Sequence, residues 1–157
     1  MDVAINWDIT RRLAISLFLS GTIGLERAWR GKAAGVRTHV LVSLGSTLIV
    51  LISVHMATGT TNVDPTRIAS NVVTGLGFLG AGTIMHSGEA ILGLTTAASL
   101  WAVGAIGLAV GCGFYEGAWQ AWFFILVTLH VLDRIEKYLV RRVGPRAKAA
   151  LGKIWRS

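Results

Sequence analysis

The sequence predicts an all-α fold: a polytopic membrane helix bundle of about five transmembrane helices, with glycine-rich close packing. Three observations predict it. The 157 residues are 53% hydrophobic and 15% charged, with mean hydropathy +0.61, which is apolar for a soluble domain. The charges stand in blocks, and the apolar runs between them are long enough to cross a bilayer. The third observation is Ser70 to Trp101, SNVVTGLGFLGAGTIMHSGEAILGLTTAASLW, which holds Gly75, Gly77, Gly80, Gly82, Gly88 and Gly93 with Thr95 and Thr96 behind them. Such a run would weaken a helix in water by about 1 kcal/mol per glycine relative to alanine. In a bilayer the backbone must bond to itself, so the run can stay helical while neighbouring helices approach closely.

The net charge of +7 would suggest nucleic acid in a soluble protein. Here the basic residues flank apolar runs, which points to membrane topology, and no nucleic-acid partner is expected. The single Cys112 excludes an internal disulfide and a multi-cysteine metal site. No cleaved secretory signal is expected, because Asp2 and Asp8 precede Arg11 and Arg12 and the first apolar run leads into Glu26 and Arg27.

Residues 1–8 form a short lead, with Trp7 as an interfacial anchor. The first span is expected over Ile9–Leu25, with Arg11 and Arg12 snorkelling. Ser16, Ser20 and Gly24 fall four apart and give it a small-residue face. The polar block Gly24–Thr38 follows. Glu26 and Arg30 form an i, i+4 pair if the helix continues, and Gly31 and Gly35 suit a turn. This block reads either as a solvated loop closed by an ion pair or as a membrane-edge site, with Arg37 as the partner expected for Glu26.

The second span covers Val36–Ala57, with His39 and His55 near its ends as interfacial or core histidines. Asp64 and Pro65 then signal a helix start, as N-cap and first helical residue. The third span covers Thr66–Met85. Its Gly75–Gly80 segment is literally G-x-G-x-x-G, but a dinucleotide site needs a preceding strand. Close packing or a local helix break is the better reading, and a break could offer backbone carbonyls to an ion.

A short loop, His86–Glu89, leads to the fourth span, Ala90–Cys112, where Gly93, Ala97, Gly104 and Gly111 make a close-contact stripe and Trp101 packs. The fifth span covers Gly117–Leu132. The domain plan is therefore a lead at 1–8, a transmembrane domain at 9–139 and a basic amphipathic tail at 140–157, stopped from continuing the helix by Gly144–Pro145. With five spans, the first polar block and the tail carry twelve Lys and Arg on one side against Arg11, Arg12 and Arg67 on the other. That bias puts the N-terminus outside and the tail in the cytoplasm.

Three segments, GLERAWRGKAAGVRTHVLVSLG, RIASNVVTGLGFLGAGTIM and GLTTAASLW, resemble the MgtC/SapB membrane family in order and spacing. The resemblance covers about Ile5 to Leu139. It implies a bacterial inner-membrane protein of about five spans, in a family associated with growth in low magnesium and with virulence of intracellular pathogens. Some members carry magnesium-transport names, and the best-known activity is regulatory inhibition of the F-type ATP synthase. The motif residues carry over to Glu26, Arg27, Gly31, Gly35, Arg37 and Thr38; to Gly75, Gly77, Phe78, Gly80, Ala81 and Gly82; and to Gly93, Thr95, Ala97, Leu100 and Trp101. Asn71 stands where many members have Gln. Many members also have a soluble C-terminal domain, for which the residues after the fifth span are too few, so a short form is expected.

The expected function is regulatory: a helix-packing partner of a membrane complex, F-type ATP synthase by resemblance, with a homo-oligomer as a further possibility. The alternative is a channel or carrier for Mg2+ or another ion. All eight acids lie at span ends or in loops, which leaves a backbone-carbonyl site at Gly75–Gly82 for that alternative. No P-loop is present, and neither enzymatic chemistry nor a cofactor is expected. The functional motif comprises Glu26, Arg27, Arg37, Thr38, Asn71, Gly75, Gly77, Gly80, Gly82, Thr95, Thr96 and Trp101.

Overall fold

The computed structural model describes residues 6–57, 64–87 and 90–142. Six helices and one short hairpin follow in order: α1 (Trp7–Trp29), α2 (Val36–Ala57), α3 (Pro65–Gly82), β1 (Met85–Ser87), β2 (Ala90–Leu92), α4 (Leu94–Gly111), α5 (Tyr115–Val127) and α6 (Asp133–Arg142). A wider π-wound turn, Thr128–Leu132, stands between α5 and α6. The chain divides into two compact units after Trp122. In the first, α1, α2 and α4 pack pairwise, and α3 packs on α2 and α4. The second holds the end of α5, the π-wound turn and α6, with the rings of Phe123 and Phe124 edge to face at 5.6 Å.

Local chemistry sets the helix starts. Asn6 caps α1, its side chain accepting from Asp8 N at 3.0 Å. Asp64 caps α3, its carboxylate accepting from Thr66 N at 2.9 Å with Pro65 in the first helical turn, as the Asp-Pro pair predicts. α2 and α4 are each long and apolar enough to cross a membrane; at 1.5 Å per residue α2 extends about 33 Å.

The core of the first unit is a seam of small and hydroxyl side chains. The buried face of α2 is His39, Ser43, Ser46, Thr47, Val50 and Ser53, spaced by three and four residues as one helix face requires. Opposite it α1 buries Ser16, Ser20 and Gly24, the small-residue face read from their spacing. Ser16 Oγ lies 2.9 Å from Ser43 Oγ. Thr47 Oγ1 lies 2.9 Å from Ser16 Oγ, 2.9 Å from Gly107 O and 3.0 Å from Ser43 O, and its one hydrogen serves one of them at a time. In an apolar setting these hydroxyls need acceptors, and they find them across the helix contacts.

Glycine permits the close approach. A Cβ on Gly107 would stand 2.3 Å from Ser43 O, and one on Gly24 would stand 2.7 Å from Val36 Cα. The stripe expected on the fourth span divides its contacts: Gly104 receives Leu76 of α3, while Gly111 receives Val50 and Thr47 of α2. Gly93 is not part of the stripe. Its φ is +92°, and a Cβ there would stand 2.0 Å from Thr83 O, so the chain turns tightly past the end of α3.

That turn corrects the expected spans. The third ends at Gly82 rather than Met85, and the fourth begins at Leu94 rather than Ala90. Between them Met85 pairs with Leu92, His86 with Ile91 and Ser87 with Ala90 in an antiparallel hairpin. The helix break considered at Gly75–Gly80 is absent, because α3 is one unbroken helix through that segment. The first helix continues to Trp29, four residues beyond Leu25, and the fifth begins at Tyr115 rather than Gly117.

Arg11 and Arg12 have partners at the start of α1. Both bond to Asp8, at 2.7 and 2.8 Å. Arg12 Nη1 also donates to Gly111 O at 2.7 Å, satisfying a carbonyl at the end of α4, and Arg11 lies over the Tyr115 ring at 5.3 Å. Trp122 Nε1 donates to Thr22 Oγ1 at 2.7 Å, joining α5 to α1 within the first unit. The lead through residue 5, Gly88 and Glu89, and the tail from residue 143, including Gly144–Pro145, lie outside the described residues.

Candidate functional site

The motif residues gather in two places. The first is the turn from α1 to α2. The last turn of α1 is closed by bonds from Gly31 N to Ala28 O and from Lys32 N to Arg27 O, both 3.0 Å, with Gly31 at φ +64°. This turn projects Arg27 inward, where it is 2% exposed. A guanidinium out of water needs a counter-charge, and the Glu26 carboxylate supplies it, pairing with Arg27 Nε and with Arg30 Nε. The i, i+4 pair of Glu26 and Arg30 is present, as the helical spacing predicts. Arg37 is not the partner of Glu26; it is exposed at the start of α2, next to the exposed Thr38.

His39, one turn into α2, is fully buried beside this cluster. Its Nδ1 lies 2.9 Å from Gly35 O and its Nε2 lies 3.1 Å from Ser99 Oγ on α4. Ser99 Oγ lies 2.8 Å from Thr96 O. The motif residue Thr96 is buried and supplies that carbonyl, whereas Thr95 is exposed and Trp101 is about half exposed.

The second place is the outward side of α3. Gly80 alone among the motif glycines of α3 faces the interior, where a Cβ would meet Ala97 Cβ of α4 at 3.6 Å. Gly75, Gly77 and Gly82 are exposed, and a Cβ at any of them would meet nothing within 4 Å. Val73, Gly77 and Ala81 follow one another four residues apart on this side, all exposed, with Phe78 beside them at 82% exposure. Gly75 and Asn71 line an apolar groove of about 700 Å³ between α2 and α3, with Leu41, Ile49 and Leu79.

Sequence reasoning missed Ser99 and Gly107 and gave His39 no task. The signal for His39 was present: it heads a polar series, Ser43, Ser46 and Thr47, at four, seven and eight residues along an otherwise apolar span.

Residues 13–138 match the MgtC family. YhiD of Escherichia coli (strain K12), whose name proposes magnesium transport, is 40% identical over 136 residues, which are 83% of this chain and 63% of YhiD. Protein SapB of Bacillus subtilis (strain 168) is 34% identical over 147 residues, covering 90% of this chain and 62% of SapB. Protein MgtC of Salmonella typhimurium (strain 14028s / SGSC 2262) is 44% identical over 115 residues, covering 73% of this chain and 48% of MgtC. The chain thus spans about half to three-fifths of the length of these relatives. No solved structure matches it. With the family match running over most of the chain, from α1 into α6, this helical membrane protein belongs to the MgtC family.

Proposed function

We propose that the chain is a regulatory subunit-like partner in the bacterial inner membrane, serving adaptation to low magnesium. It docks the outward side of α3 on a transmembrane helix of a larger complex. F-type ATP synthase is the complex that the family resemblance implies. The observation that carries this reading is the contrast between two sets of glycines. Gly24, Gly104, Gly107 and Gly111 are filled by neighbours inside the chain, whereas Gly75, Gly77 and Gly82 have open space where a side chain would be. Small residues four apart, as at Gly77 and Ala81, let a second helix approach to backbone contact. Of the small-residue faces expected on the first, third and fourth spans, those of α1 and α4 serve internal packing, which leaves α3 for a partner.

In this arrangement the helices cross as about five spans, with the N-terminus outside and the basic Glu26–Arg37 turn cytoplasmic, following the excess of Lys and Arg. The competing reading, passage of Mg2+, relied on opened carbonyls at Gly75–Gly82; the unbroken α3 keeps them within a helix. The test is co-purification of F-type ATP synthase from native membranes with the full chain and with Gly77→Leu. The synthase is expected with the wild type and lost with the variant at equal membrane levels. Equal recovery with both removes α3 from the interface. Mg2+ flux into proteoliposomes well above empty vesicles would replace docking with transport.

A further inference from the structure

The buried ring of His39 can change its charge without losing a hydrogen bond. Gly35 O can only accept, so Nδ1, 2.9 Å away, carries a hydrogen. In the neutral ring Nε2 then presents a lone pair to Ser99 Oγ, 3.1 Å away, and the serine hydroxyl donates to it. The same hydroxyl has a second acceptor, Thr96 O, at 2.8 Å. When a proton from solvent forms an N–H bond at Nε2, the Ser99 hydrogen turns to Thr96 O and Ser99 Oγ accepts from Nε2. Every polar hydrogen has an acceptor in both states, and the switch is the rotation of one hydroxyl. A buried histidine normally leaves an N–H or a lone pair unsatisfied in one of its two states, at a cost of about 1–3 kcal/mol.

We propose that His39, Ser99 and Thr96 form a proton-binding site at the joint of α1, α2 and α4. The charged groups around the ring come from α1. They are Glu26 and Arg27, which pair with each other. From α4 come Ser99 and Thr96, neither of them ionisable. On α2 itself Arg37 is exposed. The one charged residue of α3, Arg67, is exposed at the start of that helix. Glu26 also pairs with Arg30, so a proton on His39 adds a positive charge next to an ion-paired cluster. It does so at a close approach of α1 and α2, with Gly24 against Val36 and the Cβ of His39. Proton binding therefore bears directly on the α1–α2 contact.

The test is nitrogen NMR of the full chain, labelled at histidine nitrogens and held in lipid nanodiscs, titrated with acid. The neutral His39 ring is expected to carry its hydrogen at Nδ1 and to gain the second at Nε2 reversibly while the protein stays folded. A neutral ring protonated at Nε2 instead, or a ring that gains no proton before unfolding, overturns the proposal. Ser99→Ala removes the acceptor of the Nε2 hydrogen and should lower proton affinity on the order of tenfold, about one pH unit. An unchanged titration in folded Ser99→Ala overturns the part given to the serine. If that variant does not fold, the wild-type ring alone decides the question.

Discussion

Substituting one glycine in the α2–α4 seam tests the packing account directly. In Gly107→Ala the added Cβ would stand 2.3 Å from Ser43 O, 2.9 Å from Ser46 Cβ and 3.0 Å from Ser43 C. Two of these atoms are backbone, so no side-chain rotation relieves the clash. To restore van der Waals distance α4 must retreat from α2 by roughly 1 Å, a gap that forfeits a quarter to a half of the dispersion energy of the atoms it separates. Overpacking of this kind costs about 1–3 kcal/mol. The reach from Thr47 Oγ1 to Gly107 O, 2.9 Å in the native seam, lengthens too, at about 0.6 kcal/mol for a hydrogen bond in a membrane protein. Against this stands the helix propensity of alanine, up to about 1 kcal/mol. The net expectation is a loss of about 1–3 kcal/mol. Gly77→Ala is the control: nothing lies within 4 Å of its added methyl, so stability should stay level or rise by up to about 1 kcal/mol. Reversible unfolding in mixed micelles, followed by tryptophan emission, measures both. Equal stability of Gly107→Ala and wild type, or an equal loss in Gly77→Ala, refutes the division into packed and open glycines.

Three further outcomes follow from particular contacts. Thr47→Val keeps the shape of the seam but removes the hydroxyl that reaches Ser16, Ser43 and Gly107; about 0.6 kcal/mol, and no more than about 1.7, should be lost in the same unfolding assay. Arg12→Ala frees Gly111 O and breaks the pair with Asp8, so amide exchange at the end of α4 should rise several-fold while α2 is unaffected; equal exchange in both proteins would show the contact to be idle. Asp64 is held below the ordinary carboxylate range, first by the Thr66 hydroxyl and then by its backbone N–H. A lowered folded value means the cap is at full strength above about pH 4 and is lost as pH falls through the folded value. Amide exchange in the first turn of α3 should therefore accelerate only on strong acidification, and Asp64→Ala should show that fast exchange at neutral pH.

The chain shows plainly what a one-dimensional pattern carries. α2 was legible to the residue, because an unbroken apolar run bounded by polar blocks fixes both ends of a helix. Asp64-Pro65 was legible because a cap is a local interaction. The face of Ser16, Ser20 and Gly24 followed from spacing alone. The hairpin Met85–Leu92 was not, since short apolar strands and helix ends share the same composition. Nor does spacing say which glycines meet a neighbour: Gly75 and Gly104 look alike in sequence, but only Gly104 receives a leucine. The partner of Glu26 turned on rotation about α2. Residues two apart point about 200° from one another, so once His39 faces the interior Arg37 must face out, and Arg30 remains the cation on the proper side of α1.

On the proposed function, the open side of α3 acts on a membrane complex. ATP-driven proton pumping in inverted membrane vesicles tests it most directly, with the wild-type chain or Gly77→Leu present at equal folded amounts. The wild type is expected to depress pumping by F-type ATP synthase, and Gly77→Leu to restore it. Undiminished pumping with the wild type, or the same inhibition by both proteins, would contradict it.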